Sequence, residues 1–550
     1  MPVVEHNVWT VFETIAARVP DRVALVVKGE RTTYAGLAER ARRFANVLAA
    51  HGLGHHVPRS ELEPWETGQD FAGLYLLNGP EYLEATLGAY AARVAPANVN
   101  YRYVAEELAY LLEDAGAGAV VYHARFAPTL ASVLPRLSRP PLLLQVADDS
   151  GEALLPGALD YETALRDASA GPVEPVGGPQ DPDDLYVLYT GGTTGMPKGT
   201  LWRQADIYLA ALGGDAHPDD FDASAIAEFA AGRDANPLLP IAPFMHGAAH
   251  WLSLRALLVG DTVVINDVVD RLDPVDVWTL VERERVVAML MVGEAFARPL
   301  LDELERGSYD VSTVNVVIVG GAVTSPETKA RMMKVLPNAI IADAAGASET
   351  GGALSAVAAA GNAGEAGVFI PQPSVAVLDA DKQRVLEPGH DGIGWFAKSG
   401  RIPLGYLGDK DKTAATFPVV DGTRWSVPGD RARWRADGMV ELLGRDSVTI
   451  NSAGEKIFAE EVEAAVLLHP DVTDAVVVGR PSERWGQEVV VVLSVRPSTA
   501  PTDDSIIAVA AERIARYKLP KAIVRVPTVV RSPAGKADYG WARRIAVGDG

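Results

Sequence analysis

The sequence predicts an α/β fold with a large N-terminal domain of packed α/β layers and a small α+β C-terminal domain. The chain has 550 residues, whereas single hydrophobic cores stop growing at roughly 250–300 residues. Strand and helix signals alternate along most of the chain, as is typical of layered α/β folds. Near Gly444 and Arg445 this alternation gives way to short strands. We therefore expect domains at residues 1–444 and 445–550.

The spacing of apolar residues predicts the individual elements. Residues 34–51 and 80–93 have the pattern of helices. Short apolar runs at 71–78, 119–123 and 314–319 are typical of buried strands. For the C-terminal region the sequence predicts strands at 475–478, 489–495 and 523–526, a helix at 459–467 and an amphipathic helix at 504–517.

Composition excludes several classes of function. The net charge of −22 argues against general affinity for nucleic acid or anionic membranes. Because the chain has no cysteine, it has no disulfide, thiolate metal ligand or cysteine nucleophile. The first ten residues lack the pattern of a signal peptide, and apolar runs are too short to span a membrane. We therefore expect a cytoplasmic enzyme; the oligomeric state is left open, with a homodimer as one option.

A glycine- and threonine-rich turn follows the predicted strand at 187–189. Glycines let the backbone approach phosphate oxygens, and successive N–H groups in such a turn form an anion-binding nest. The turn is not a Walker A loop, because Pro197 precedes Lys198 and Gly199 follows it. The alternative is a flexible linker. The candidate phosphate-binding residues are Thr190, Gly191, Gly192, Thr193, Thr194, Gly195 and Lys198.

This turn resembles the phosphate-binding motif of the superfamily of acyl-CoA synthetases, peptide-synthetase adenylation domains and luciferases. Further segments resemble that superfamily's motifs in the same order, so the resemblance covers nearly the whole chain. They are Pro-Phe-Met-His-Gly at 243–247, Gly-Gly-Ala at 320–322, Ala-Gly-Ala-Ser-Glu at 345–349, Trp-Ser-Val-Pro-Gly-Asp at 425–430, the segment 444–463, and Arg-Ser-Pro-Ala-Gly-Lys at 531–536.

The resemblance implies a site for ATP (or AMP), Mg²⁺ and coenzyme A. It makes Lys536 the residue that stabilises charge in the first reaction step, with Glu349 and Thr194 as magnesium ligands and His246 at the acyl pocket. Asp430 is implied to bind the ribose hydroxyls, and Arg445 to touch the nucleotide. The remaining residues implied to contact nucleotide or coenzyme A are Gly321, Ala322, Ala345, Gly346, Ser348, Gly454 and Lys456.

The same resemblance implies two half-reactions and a mobile C-terminal domain. An acid and ATP give an acyl-adenylate and pyrophosphate; the small domain then rotates about a hinge near 445–448, and coenzyme A displaces AMP. The hinge position aligns with Ser447, where many relatives have Asp or Lys. Ala345 stands where relatives often have a larger side chain beside the adenine. This departure raises the alternative that the protein adenylates poorly and uses a preformed acyl-adenylate.

The segments after Thr190, around His246 and at 451–457 look most like bacterial synthetases for steroid side chains and other bulky or long acyl groups. A diterpenoid acid of antibiotic biosynthesis, of the platensimycin or platencin type, is a related alternative. Small residues around the expected pocket leave room for a bulky hydrophobic acid. The alternative is that the glycines among these small residues serve only backbone turns.

Two rivals come from other functional classes. An amino-acid adenylation domain that loads a carrier protein is one, because residues 221–224 superficially match a motif of those domains. We interpret these residues instead as a helix start capped by Asp222 or Ser224. A non-catalytic nucleotide-binding protein is the other, and the presence of Lys198, Glu349, Asp430 and Lys536 argues against it. A luciferase-like oxygenase is a weaker third option.

Overall fold

The computed structural model describes residues 4–190, 196–321, 324–358, 364–365, 367–452, 455–482, 486–514, 516–532 and 535–548. For residues 447, 451, 455, 456 and 486 the description covers the backbone. No helix in these ranges is long and apolar enough to cross a membrane.

The strands of the large domain fall into three sheets. Their bounds are β1 Val23–Val27, β2 Glu30–Thr33, β3 Phe71–Tyr75, β4 Ala95–Asn98, β5 Ala117–His123, β6 Leu142–Val146, β7 Leu159–Asp160, β8 Leu185–Thr190, β9 Lys198–Arg203, β10 Pro237–Pro240, β11 Thr262–Ile265, β12 Ala288–Met291, β13 Val316–Gly320, β14 Ile340–Ala347, β15 Gly351–Ala358, β16 Val368–Pro371, β17 Val375–Leu378, β18 Gly394–Ser399, β19 Gly405–Tyr406, β20 Val419–Val420, β21 Thr423–Ser426, β22 Asp430–Trp434 and β23 Val440–Arg445.

Helices cover the faces of these sheets. Their bounds are α1 Val8–Arg18, α2 Tyr34–Ala50, α3 Pro80–Ala91, α4 Ala105–Asp114, α5 Ala127–Val133, α6 Tyr161–Asp167, α7 Gln204–Ala211, α8 Ala223–Ala231, α9 Gly247–Leu258, α10 Pro274–Glu284, α11 Gly293–Arg306, α12 Pro326–Val335 and α13 Lys410–Thr416.

The largest sheet among the described residues has 15 strands, in the order β2-β1-β11-β10-β12-β13-β14-β15-β16-β23-β22-β18-β21-β20, with β17 beside β18. From β1 through β14 the neighbouring strands run parallel, and from β14 onward they pair antiparallel. The parallel strands β11 and β12 are buried throughout because helices cover both faces. A second sheet has the order β4-β3-β5-β6-β7, and a third β19-β9-β8.

The main core of the large domain lies between the parallel strands and their helices. In this core Phe12 of α1, Phe44 of α2 and Trp278 of α10 pack against the strands, and all three are fully buried. The Trp278 indole donates a hydrogen bond of 2.8 Å to the Leu300 carbonyl. Because its polar atom has a partner, this large ring can be buried without a desolvation penalty.

The small domain is built around an antiparallel hairpin. Its strands are β24 Ile450–Ser452, β25 Glu455–Ile457, β26 Val472–Ser482, β27 Gly486–Val495 and β28 Ala522–Arg525, and its helices are α14 Ala459–Val466, α15 Asp503–Ala511 and α16 Tyr539–Val547. β26 pairs antiparallel with β27, and β28 runs parallel to β27. A separate buried cluster joins Val462 of α14, Val476 and Val491 of the hairpin, and Ala542 of α16.

Most elements expected from the sequence are present within a few residues. The helix predicted at 504–517 is shorter, because α15 ends at Ala511 and the chain then turns so that Ile514 reaches the small core. The C-terminal helix α16 was not predicted. Its apolar pattern is short, and its buried face is defined only by packing against the sheet of the small domain. Asp222 caps α8 by accepting a hydrogen bond of 2.8 Å from the Ala225 amide. That cap confirms the structural interpretation of residues 221–224.

Candidate active site

The site lies at the carboxyl ends of two adjacent parallel strands, β13 and β14. Glycines let the backbones approach closely here: a Cβ on Gly320 would lie 2.8 Å from the Ala344 carbonyl oxygen, and one on Gly346 would lie 2.1 Å from that of Gly351. Gly321 has a φ of +74°, a left-handed conformation that favours glycine. For these three glycines the backbone requirement alone accounts for the residue type.

Glu349 follows β14 and is held by hydroxyl groups from three directions. The Ser348 hydroxyl donates to one carboxylate oxygen at 2.8 Å, and the Tyr406 hydroxyl donates to the other at 2.7 Å. The Ser426 hydroxyl donates to the Glu349 carbonyl at 2.6 Å. Thr190, at the end of β8, lies within hydrogen-bond distance of Ser348 at 3.2 Å. The start of the phosphate loop is thereby connected to the glutamate.

Asp430 and Arg445 face each other across the antiparallel pair β22–β23. The Arg445 Nε lies 3.5 Å from an Asp430 carboxylate oxygen. Burial raises the pKa of Asp430, against the opposing influence of Arg445. Asp430 in turn is the main cause of a raised pKa at Arg445. The pair therefore presents a partly screened carboxylate beside a permanent cation, at the last strand before the small domain.

Lys536 lies on a loop of the small domain whose base is held by Arg531. The Arg531 guanidinium donates to both Asp474 carboxylate oxygens at 2.7 and 2.6 Å, and to the Gly535 carbonyl at 3.1 Å. The Lys536 side chain reaches solvent. Desolvation by the protein around it lowers its pKa.

Three charged residues outside its own loop act on Lys536. Arg445 adds to the lowering of the Lys536 pKa, whereas Glu349 and Asp430 act to raise it. Such influences weaken with distance. The structure therefore places Glu349 and Asp430 of the large domain, and Arg445 at the domain boundary, within electrostatic range of Lys536.

Lys198 begins β9, directly opposite Thr190 in the β8–β9 pair. Its ammonium group forms an ion pair with Asp409, the residue that caps α13 through the Lys412 amide. The Lys198 side chain is 40% exposed. The lysine thus lies at the far end of the phosphate loop with a carboxylate partner.

His246 is the N-cap residue of α9. Burial, assisted by the positive charges of Lys536 and Arg102, lowers the pKa of His246 to about 3. Its Nε2 is buried, and among the described residues it has no hydrogen-bond partner. The imidazole is therefore neutral at physiological pH.

A half-buried face of α9 continues from His246. Gly247, Ala248 and Trp251 are partly exposed on this helix, whereas Ala249 and His250 are buried. The Trp251 indole donates to the Tyr186 hydroxyl at 2.8 Å, which fixes the ring. Ala210 and Ala211 form a similar half-buried stretch at the end of α7, and α7 packs on β15 at Gly351. Apart from Trp251, these half-buried residues of α9 and α7 are therefore small.

Some predicted site residues cannot be placed. Outside the described residues lie Gly191, Gly192, Thr193, Thr194, Gly195, Ala322 and Gly454. Lys456 is described by its backbone, which pairs with Asn451 across β24–β25. Ala345 lies half-buried in β14, opposite Leu354.

Tyr406 and Asp409 were missed by the sequence analysis. Tyr406 and Glu349 are 57 residues apart in the chain. Only the pairing of β19 with β9 brings Tyr406 to the site. No local pattern marks either residue.

The residues at this site are of the types that bind a nucleoside triphosphate together with magnesium. Glu349 offers the hard oxygen ligands that Mg²⁺ prefers, and adjacent hydroxyls hold that carboxylate in place. Within the described ranges, no group of three or more His, Asp or Glu could hold a metal ion by itself. Mg²⁺ usually takes one or two carboxylates together with phosphates and water.

Comparisons with known proteins identify the family of the chain. Residues 12–407 match the model of the AMP-binding enzyme family, and residues 461–536 match that of the AMP-binding enzyme C-terminal domain. The chain is 52% identical to the medium-chain acyl-CoA ligase Mig of Mycobacterium avium, with 98% of each chain covered. It is 39% identical to the medium/long-chain-fatty-acid/3-oxocholest-4-en-26-oate CoA ligase of Mycolicibacterium smegmatis, covering 98% of this chain and 96% of that protein.

Solved structures share the fold at low sequence identity. The anthranilate CoA ligase AuaEII in complex with anthranoyl-AMP superposes with a TM-score of 0.81 at 19% identity, covering 99% of this chain and 98% of that one. The o-succinylbenzoate CoA synthetase of Bacillus subtilis has a TM-score of 0.74 at 21% identity, with coverage of 98% and 99%. The chain therefore belongs to the AMP-binding enzyme family and is an AMP-forming acyl-CoA synthetase that uses ATP, Mg²⁺ and coenzyme A.

Proposed function

We propose that this synthetase converts bulky hydrophobic carboxylic acids, of medium or long chain length or of the steroid side-chain type, into their coenzyme A thioesters. The observation that carries the proposed roles is that the Lys536 loop of the small domain lies against Phe296 of the large domain, within electrostatic range of Glu349, Asp430 and Arg445. The two relatives named above support the acid class, since their names specify medium-chain, long-chain and steroid acids.

In the first half-reaction the substrate carboxylate attacks the α-phosphorus of ATP. A new P–O bond forms, and the bond to the departing pyrophosphate breaks. Lys536 stabilises the negative charge that develops on the phosphoryl oxygens; catalysis of this type rests on positioning and charge stabilisation. The nearby Glu349 and Asp430, together with the phosphates of ATP, favour its charged form.

Asp430 accepts hydrogen bonds from the ribose hydroxyls, and Arg445 orients that carboxylate from the neighbouring strand. Thr190, Lys198 and the loop between them bind the phosphates. Lys198 exchanges its Asp409 partner for phosphate when ATP is present. Magnesium, when bound, neutralises phosphate charge, and Glu349 and Thr194 are the residues that would hold it.

In the second half-reaction the small domain rotates about a hinge at 445–448, which includes Ser447 in the short turn Asp446–Val448. We take this hinge as the boundary between domains 1–444 and 445–550. The rotation withdraws Lys536 and brings the segment with Gly454 and Lys456 toward the site. The thiol of coenzyme A loses its proton, its sulfur bonds to the acyl carbon, and AMP leaves.

The acyl group extends beside His246 along the half-buried faces of α9 and α7. Ala248 and, on α7, Ala210 and Ala211 are small and half-buried, and the neutral His246 adds no charge to repel an apolar chain. Trp251 provides a large apolar wall. The diterpenoid acid remains an alternative, with the fatty and steroid acids favoured by the relatives' names.

An acid panel measured in both half-reactions tests this function. The purified enzyme is given ATP, Mg²⁺, coenzyme A and acids ranging from butyrate and benzoate to dodecanoate and a steroid side-chain acid. We expect kcat/KM for thioester formation to be highest with the bulky hydrophobic acids. Faster turnover of small or aromatic acids would contradict the proposed substrate class.

The same measurements separate the remaining alternatives. One outcome is that thioester forms from synthetic acyl-adenylate while ATP-dependent pyrophosphate release is absent. That result would indicate that the enzyme adenylates poorly, as expected if the small side chain of Ala345 weakens adenine binding. Amino-acid-dependent pyrophosphate exchange without thioester would indicate an amino-acid adenylation domain. We also propose that the enzyme works in the cytoplasm, where ATP and coenzyme A are supplied.

A further inference from the structure

Arg298, on α11 of the large domain, reaches across to the backbone of the small domain. One guanidinium nitrogen donates to the carbonyls of Val472 at 2.9 Å and Thr473 at 3.2 Å. The other terminal nitrogen donates to the Leu467 carbonyl at 3.4 Å. One side chain therefore makes three hydrogen bonds to a domain that has to move during the reaction cycle.

Glu294 holds Arg298 from its own helix. Its carboxylate accepts from Arg298 Nε at 2.7 Å, from the Ser325 amide at 2.8 Å and from the Thr328 hydroxyl at 2.8 Å. Glu294 is only 7% exposed. Burial alone raises the pKa of Glu294, but Arg298 and the two other donors reverse that effect and leave it lowered. Glu294 therefore compensates the charge of the Arg298 guanidinium and fixes its orientation from within the large domain.

The acceptors suit a cation. Leu467 is the C-cap residue of α14, and the last carbonyls of a helix lack partners within the helix and carry its negative dipole end. Val472 and Thr473 begin β26. Because all three acceptors are backbone atoms that belong to one rigid part of the small domain, rotation of that domain removes all three hydrogen bonds together.

The contact leads directly to the catalytic loop. Thr473 precedes Asp474, which binds Arg531 at the base of the Lys536 loop. On the large domain, the start of α11 touches the same loop: a Cβ on Gly535 would lie 3.2 Å from the Val292 carbonyl oxygen and 3.4 Å from the Phe296 ring. Arg298 therefore fixes the small domain at the point where the lysine loop meets the large domain.

We propose that Arg298 is a positioning residue for adenylation: it holds the small domain in the orientation that presents Lys536, and it releases the domain for thioester formation. The proposal rests on the two half-reactions described above. It assigns Arg298 no contact with substrate, so its effect has to pass through Lys536.

The test compares the two half-reactions in Arg298→Ala, Arg298→Lys and the wild type. We expect Arg298→Ala to slow ATP–pyrophosphate exchange by roughly tenfold or more, because three charge-assisted hydrogen bonds are lost. Thioester formation from synthetic acyl-adenylate should be unchanged or faster. Arg298→Lys, which keeps the charge, should recover part of the exchange rate. An equal loss in both half-reactions, or no loss in either, would overturn the proposal.

A double variant tests the route through Lys536. In a Lys536→Ala background, adding Arg298→Ala should change the exchange rate by less than about twofold, because the residue that Arg298 positions is absent. The same fold-loss in both backgrounds would overturn the proposal. If Arg298→Ala does not fold, Arg298→Gln is measured in the same way.

The matched control is Arg306→Ala. Arg306 lies on the same helix with its side chain 73% exposed and an ion pair to Asp302 at 4.0 Å. This variant should retain both rates. A wild-type enzyme that makes no thioester from either ATP or acyl-adenylate would instead refute the proposed function, so the two failures are distinguishable.

Discussion

The two domains hold their parts of the site in different ways. Glu349 and Asp430 are fixed by hydroxyl donors and by strand pairing within the large domain. Lys536 is held on its loop by the Arg531–Asp474 pair, and the neighbouring Gly535 lies against Val292 and Phe296 of the large domain. Under the proposed function, the large domain supplies a preorganised nucleotide site, and the small domain supplies a group that can be withdrawn.

The largest difference between the two domains is expected when Lys536, the group that the small domain brings to the site, is removed. Lys536→Ala should reduce ATP–pyrophosphate exchange by roughly 10²–10³-fold, the usual loss when one charge-stabilising donor is deleted. Thioester formation from synthetic acyl-adenylate should change little. Lys521→Ala, at an exposed position in the same domain, serves as the control. A comparable loss in both half-reactions would contradict a role restricted to adenylation.

A fixed residue should behave differently. Asp430→Ala removes the carboxylate proposed to bind ribose, which both half-reactions need. We expect KM for ATP and KM for acyl-adenylate each to rise by roughly 10–100-fold, as for the loss of a charge-assisted hydrogen-bonding group. Steady-state kinetics of each half-reaction provide the measurement. If only the adenylation step were impaired, Asp430 would behave like Lys536, and the proposed difference between the two domains would be wrong.

A smaller effect is expected where a supporting hydroxyl is lost. Tyr406→Phe removes the 2.7 Å hydrogen bond to Glu349 and keeps the ring that packs against Phe417. One hydrogen bond to a carboxylate contributes roughly 1.5–3 kcal/mol. We expect the Mg²⁺ concentration for half-maximal exchange to rise, with the protein's Tm nearly unchanged. An unaltered magnesium dependence would indicate that Tyr406 does not support Glu349.

A last effect concerns the small domain's own stability and not its catalysis. Burial raises the pKa of Glu463 to about 8, with Glu460 adding to the rise and Arg531 and Tyr539 opposing it. A raised carboxyl pKa means that the folded state prefers the protonated form. Stability should therefore be fully present below the ordinary pKa of about 4.3 and decline as pH rises toward 8.

Glu463→Gln should lack this decline. Its amide can still accept from the Val477 N–H, as Glu463 does at 2.8 Å. We expect the Tm of the variant, relative to the wild type, to increase by a few degrees between about pH 5 and pH 8. Thermal unfolding at a series of pH values measures this. A difference in Tm that is independent of pH would show that Glu463 does not titrate as inferred.

Local patterns predicted much of the framework. The buried strand runs and the helix at 34–51 correspond to observed elements because hydrophobic spacing acts over a few residues. The helix at 504–517 was predicted too long, since its end depends on where Ile514 meets the core. The phosphate loop between Thr190 and Met196 stays a prediction from sequence, as it lies outside the described residues.

By itself, the sequence determined that this is an α/β protein with a large and a small domain, and its resemblance to a family predicted that Glu349, Asp430 and Lys536 carry the chemistry. Only the tertiary structure decided which groups support them. Arg298 and its carbonyl acceptors lie 169 to 175 residues apart in the chain. Backbone carbonyls are present at every residue and so leave no mark in a sequence. Their use as acceptors is set by how two folded domains pack together.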